Sequence, residues 1–317
     1  MLVLTSSVMV AALVLGIALD LLLGETRRWH PLVGFGKLAY ALEARWNNQT
    51  QQTQHASAYL KGGLAWLVIV IPFVVATQAL LWWCASHSLW LAPLLHIVLL
   101  YFCLGLRSLY DHTAPIRQAL QDGDLATART LTSYIVSRDT SQAGEEDIAK
   151  ASVESLLENG CDAVFGTLFW FVVAGGAGAL LYRLSNTLDA MWGYKTPRLL
   201  RFGCVAARID DALNWIPARL TALSYAALGN TRLALQCWRR QAPVWPSPNA
   251  GPVMAAGAGA LELALGGLAT YDGVQEVRPA LGLGKAASAP DIQRAWSLVL
   301  RTSMLWTGCL LLWLVFI

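Results

Sequence analysis

Apolar residues dominate four stretches of the chain, 2–23, 62–83, 89–106 and 301–317. Each is close to the roughly 20 residues with which a helix crosses the hydrocarbon core of a bilayer. A fifth apolar stretch, 162–184, carries Gly166, Gly175, Gly176 and Gly178. Each glycine weakens an isolated helix by about 1 kcal/mol, so this stretch is expected to be re-entrant or Gly-interrupted. Between the third and fifth stretches the pattern becomes polar and helical. Asp122-Gly123-Asp124 breaks it there and offers an N-cap to a helix over 125–136. Solvated loops are expected at the amide-rich run 47–54 and around Pro243, Pro246 and Pro248.

The expected fold class is all-α, a polytopic α-helical integral membrane protein with a cytoplasmic helical lobe. Four regions follow: 1–106, holding about three spans and a cytoplasmic loop over 24–61; a helical lobe over 107–161; a region over 162–300 with membrane-associated helices; and a last span over 301–317.

Charge refines this picture. Arg27, Arg28, Lys37, Arg45 and Lys61 lie between the first two spans, whereas the link 85–88 has no basic residue, which places the first loop in the cytoplasm. If 162–184 crossed alone, thirteen basic residues over 183–301 would fall on the wrong side. Another crossing, over 212–228 or 253–268, would restore the balance.

The 317 residues are 56% apolar and only 14% charged, with 14 tryptophans and a net charge of +3. That small charge lacks a basic run, so nucleic acid is excluded as a partner. Six widely spaced cysteines fit buried thiols better than a disulfide frame or zinc site. Residues 2–19 have no preceding basic segment and no small-residue cleavage pattern, which favours an uncleaved first span.

In so apolar a chain, ionisable groups near bilayer depth are solvated, paired or used, and they concentrate between Ser137 and Thr221. Glu154, Glu158 and Asp162 recur every four residues, on one face of a helix starting near Gly144. Like charges at that spacing repel unless a cation neutralises them, as magnesium with a nucleotide would. A solvated helix face is the alternative. Arg138, Asp139 and Thr140 occupy a loop able to hold phosphate, or an ordinary capping loop. Arg208, Asp210, Asp211, Asn214 and Arg219 form a second charged group; it is either a site or a buried network locking helices. Asn186, Asp189, Tyr194 and Lys195 lie between, and Ser247-Pro248-Asn249-Ala250-Gly251 resembles a turn whose amides approach a ligand. Asp20, Gly24, Glu25, His30 and Pro31 come at and just past the end of the first span, where a lone histidine beside proline is more often a capped or interface residue than a ligand. No Walker loop or dinucleotide fingerprint occurs, so any nucleotide is held by a non-standard site.

Taken in order, these motifs, with Asn186-Thr187-Leu188-Asp189 and Phe202-Gly203 among them, closely resemble the CbiB/CobD family of cobalamin biosynthesis over nearly the whole chain. The resemblance implies a multi-pass bacterial inner-membrane ligase, adenosylcobinamide-phosphate synthase. Such an enzyme joins adenosylcobyric acid to aminopropanol phosphate or ethanolamine phosphate with ATP and magnesium. It implies a cytoplasmic active region and association with other late-pathway membrane enzymes and with lipid. Under it, Glu154, Glu158, Asp162, Asp210 and Asp211 are expected to hold Mg2+. Arg138, Thr140, Asn186, Lys195, Arg208, Arg219 and Asn249 are expected to bind substrate or phosphate, and Asp139 and Glu158 to be catalytic, Asp139 as proton acceptor. Thr26 and Thr167 depart from the family pattern without removing a charge. Two rivals are a membrane prenyl- or phosphoalcohol-transferase using Asp210, Asp211 and Asn214, and a non-catalytic membrane sensor or assembly protein.

Overall fold

The computed structural model describes residues 5–26, 30–47, 55–271 and 273–315. Arg27, Arg28 and the amide-rich run from 48 lie outside the described residues. The chain is a polytopic α-helical protein: five stretches are long and apolar enough to cross a membrane, Ser6–Leu23, Ser57–His87, Leu91–Gln121, Glu145–Trp192 and Ala289–Trp313. They overlap all five apolar runs of the sequence.

Two compact units share the chain. The first comprises Met1–Gly105 and Gly166–Asn214, the second Leu106–Phe165 and Trp215–Phe316.

The first unit is built on α1 (Ser6–Leu23), α2 (Pro31–Trp46), α3 (His55–His87), α4 (Leu91–Cys103) and α8 (Gly166–Trp192), with the start of α9 (Cys204–Leu228). α1 packs on α4, and both α3 and α4 pack on α8. Phe35, Trp66, Ile69, Leu188, Trp192 and Phe202 form the core between α2, α3 and α8. Gly62 permits the closest approach there, because a Cβ would lie 1.9 Å from the Phe202 carbonyl. Glu43, buried on α2, takes a bidentate pair from Arg198 at 2.9 and 2.5 Å and a bond from Asn47.

α8 is interrupted, as its glycines suggest. Ala174 and Gly175 leave helical geometry, Gly175 at φ +64 and ψ −155, a region open essentially to glycine. The broken turn exposes the Gly176 N–H, which donates 2.8 Å to Nδ1 of buried His96 on α4. An amide that would be orphaned at membrane depth is thereby satisfied within the protein.

The second unit holds α5 (Leu106–Gln121), α6 (Leu125–Ser133), α7 (Glu145–Asn159), a π-helical turn Gly160–Phe165, the end of α9, α10 (Thr231–Gln241), α11 (Ala250–Leu261) and α12 (Ala289–Val315). Asp124 caps α6 by accepting from Thr127 N at 3.0 Å. α12 packs on α5 and α7 and begins twelve residues before the span expected from hydropathy. Buried Asp291 fixes that start, accepting from Ser288 and pairing with Arg294 at 2.7 Å.

The expectation of a crossing over 253–268 fails. α11 has only 12 residues, about 18 Å of helix, and ends where Glu262 turns left-handed at φ 58. From there the chain forms a small sheet of order β2-β1-β3: β1 (Leu263–Tyr271) pairs antiparallel with β2 (Val274–Leu281) and parallel with β3 (Lys285–Ala286). Hydropathy alone did not reveal this hairpin, because Gly266 and Gly267 form a bulge that hides the strand alternation.

Candidate functional site

The densest buried charge in the second unit centres on Glu154 of α7. Its Oε1 accepts from the Gly266 amide at 2.8 Å and from Arg278 at 3.2 Å; its Oε2 accepts from Arg278 at 2.8 Å and Arg138 at 2.5 Å. Glu154 is 2% exposed, and the two arginine side chains 12% and 13%. A carboxylate engaged by two guanidiniums and an amide is expected where charge must leave water. Three local features assemble it. α7 presents Glu154 inward. The bulge presents the Gly266 amide, at φ +75, where a Cβ would meet the Pro279 carbonyl at 2.2 Å. β2 brings in Arg278. Burial works against the charge on Arg278, but the hydrogen bond and charge of Glu154 outweigh it and hold the guanidinium above its ordinary pKa. Arg278 was not foreseen.

Beside this triad lies a cavity of about 570 Å³, lined by Arg138, Asp139, Thr140, Asp147, Thr270 and Gln275 among others. The 137–144 loop is held against the sheet by Asp139 N donating to the Thr270 carbonyl at 2.8 Å. Thr140 Oγ1 donates to Arg129 O, and Arg129 Nε to Ala143 O. Asp139 accepts from Ser141 N at 2.8 Å, and that bond lowers its pKa; its carboxylate is exposed.

Glu158 lies one turn beyond Glu154, within electrostatic reach of Asp162, Glu154, Arg138 and Arg278. Asp162 sits in the π-helical turn, a feature frequent at functional sites. Tyr225 braces this turn by donating to Leu157 O at 3.2 Å, and its burial beside Cys161 and Asp162 drives its pKa far up. Asn159 donates back to Ser155 of its own helix.

Elsewhere in this unit Arg219 donates to Trp215 O, Asn249 Oδ1 and Pro248 O at 2.9, 2.7 and 3.0 Å. The amides of Asn249 and Ala250 go to Ser247 Oγ. The turn that the sequence offers to a ligand thus lies at the start of α11 and is braced by Arg219.

The first unit holds the other expected residues. Asn186 and Asp189 lie on α8, and Asp210, Asp211 and Asn214 on α9, with Asp210 and Asn214 buried. Asp211 lies within electrostatic reach of Asp189. Lys195 and Arg208 are exposed. Among the described residues, no three His, Cys, Asp or Glu side chains form a cluster able to hold a metal ion. At the start of α2, His30 Nδ1 accepts from Leu32 N at 3.2 Å and so caps that helix. Burial lowers its pKa; Glu25 opposes this and Arg183 reinforces it. Arg183, an arginine within a span, was also missed as a candidate, although an intramembrane cation is itself a signal.

The chain matches the family model described as CobD/Cbib protein over residues 13–299. It belongs to the CobD/Cbib family. Among its relatives, each named "Cobalamin biosynthesis protein CobD", that of Stutzerimonas stutzeri (strain A1501) is 54% identical over 92% of this chain and 94% of its own. The relative in Chromobacterium violaceum is 50% identical over 94% and 95%, and that in Halalkalibacterium halodurans 35% over 92% and 92%. No solved structure matches this CobD/Cbib chain.

Proposed function

We propose that this chain acts in cobalamin biosynthesis as an ATP-dependent ligase joining adenosylcobyric acid to (R)-1-aminopropan-2-yl phosphate, or ethanolamine phosphate, to give adenosylcobinamide phosphate. Family membership supports the pathway, and the observation that carries the chemistry is the Arg138–Glu154–Arg278 triad beside an open polar cavity. Glu154 anchors both guanidiniums, so Arg138 presents a fixed positive wall to a phosphate in that cavity.

A free carboxylate does not condense with an amine unaided. In this reading its oxygen attacks the γ-phosphorus of ATP and ADP leaves. The amine nitrogen then attacks the acyl carbon, phosphate leaves, and the ammonium proton passes to a base. Asp139 lines the cavity with its carboxylate exposed, and in this reading it is the base that accepts that proton. Thr140, also in the lining, adds a polar contact.

Magnesium commonly needs only one or two protein carboxylates when phosphate oxygens complete its shell. Glu158 and Asp162 fit that role, whereas the Glu154 oxygens are taken by its partners; when bound, the ion would offset triphosphate charge. In the first unit, Asp210 and Asp211 are a second acidic pair, Lys195 and Arg208 exposed cations for phosphate, and Asn186 a polar contact. We place the enzyme in the bacterial inner membrane with its active region cytoplasmic, in association with other late-pathway membrane enzymes. Complementation tests this: the wild-type gene should rescue a corrinoid auxotroph lacking this step, and Glu158→Gln should not, although it inserts normally. Absence of rescue by the wild type, with adenosylcobyric acid consumed in the parent strain, overturns the proposal.

A further inference from the structure

The end of α9 buries Ala218, Thr221, Ala222 and Tyr225 in the second unit, while Trp215, Ile216, Leu220, Leu223 and Ala227 stand exposed. Those exposed positions follow helical periodicity, making a continuous apolar stripe on a helix outside the five candidate spans. From Ile216 to Ala227 the stripe is roughly 17 Å long at ~1.5 Å per residue. One leaflet of a ~30 Å hydrocarbon core is about 15 Å. The stripe also adjoins a span: Trp306 of α12 donates to Ser224 of α9 at 2.9 Å, and Met304 and Leu311 of α12 are themselves exposed.

At one end of the stripe the chemistry changes. The Arg219 guanidinium lies 4.4 Å from the Trp215 ring centre. Next to it opens a cleft of about 460 Å³ lined by Arg219, Arg239, Trp238, Trp245 and prolines, with no acidic residue in its wall among the described residues. Exposed Val244 lies in the turn between Pro243 and Trp245 of that wall. Tryptophan and arginine next to apolar surface are the composition of a membrane interface.

We propose that this cleft binds the headgroup of an anionic phospholipid whose acyl chain lies along the α9 stripe. The phosphate meets Arg239 and the indoles of Trp238 and Trp245 flank the glycerol region. Arg219 closes the wall while bracing Asn249, so lipid binding touches the cap of α11.

Native mass spectrometry of the purified full-length protein, titrated with phosphatidylglycerol or phosphatidylcholine, tests the cleft. Phosphatidylglycerol should bind more tightly than phosphatidylcholine, and Arg239→Gln should weaken it about fivefold, the equivalent of ~1 kcal/mol for one basic residue at an anionic surface. Arg232→Gln, the same charge change at the other end of α10, should leave it unchanged. Equal binding of both lipids, equal effects of both variants, or displacement of phosphatidylglycerol by ATP or inorganic phosphate would overturn the assignment, the last in favour of a soluble phosphate ligand. The stripe is tested separately by a spin label at Leu223→Cys in nanodiscs, with Cys204 and Cys309 replaced by serine. Oxygen should relax the label more than a water-soluble nickel chelate does, and the reverse order refutes a lipid-facing stripe.

Discussion

Replacing Glu154 with glutamine removes the only carboxylate that pairs with Arg138 and Arg278 among the described residues and keeps the side chain's shape. Breaking a buried ion pair from one side costs about 3–5 kcal/mol, since the partner charge stays behind. Here the arginines retain 12% and 13% exposure, and the glutamine oxygen can still accept one of the present donors, so the expected loss is about 2–3 kcal/mol. At about 2–4 °C per kcal/mol for a unit of this size, the melting temperature should fall by roughly 4–12 °C, read from tryptophan fluorescence in detergent. Arg278→Met alone should cost less, because Glu154 keeps Arg138 and the Gly266 amide. The double variant should be less damaged than the two single losses added together, by about 1 kcal/mol or more. Additivity within ~0.5 kcal/mol would mean that Glu154 and Arg278 do not interact, and the triad would be refuted.

The broken turn in α8 gives a second test: Gly175→Ala should cost about 1–3 kcal/mol in a thermal melt, because a Cβ there meets His96 at 2.6 Å and the backbone geometry excludes it, and an unchanged melt would show that the break tolerates a side chain. His96→Leu should orphan the Gly176 amide and lower stability by about 1–3 kcal/mol in a thermal melt; no change would show that the amide finds another partner. His30 has a folded pKa below its ordinary 6.5, so the unfolded chain binds more protons just beneath that value. Stability should therefore be full above pH 6.5, fall as the pH drops through the window down to the folded pKa, and fall less in His30→Asn, an outcome checked by melts across pH. Chelation by EDTA should abolish ligation and added Mg2+ restore it; activity surviving EDTA would remove the ion from the scheme.

Much of the fold was legible because hydrophobic length is a strong signal: all five apolar runs became candidate spans, and the glycines of 162–184 did mark a break, at Gly175. Asp124 and Gly144 were legible as helix starts because capping is local chemistry. The hairpin after Glu262 was not, since a bulge with two glycines breaks strand alternation. For the site, spacing placed Glu154, Glu158 and Asp162 on successive turns, but the role of Glu154 depends on Arg278, 124 residues away, and on the Gly266 amide, neither visible from helical periodicity. Arg219 and Asn249 were legible only as members of two separate motifs; that they bond to each other required the fold.

The central claim is that this CobD/Cbib chain couples ATP cleavage to amide formation. Purified protein in nanodiscs, given adenosylcobyric acid labelled with 18O in its free carboxylate, aminopropanol phosphate, ATP and Mg2+, should yield adenosylcobinamide phosphate and ADP in equal amounts. One 18O should appear in the inorganic phosphate. Amide formed without ATP, or diphosphate released in place of ADP and labelled phosphate, would contradict it.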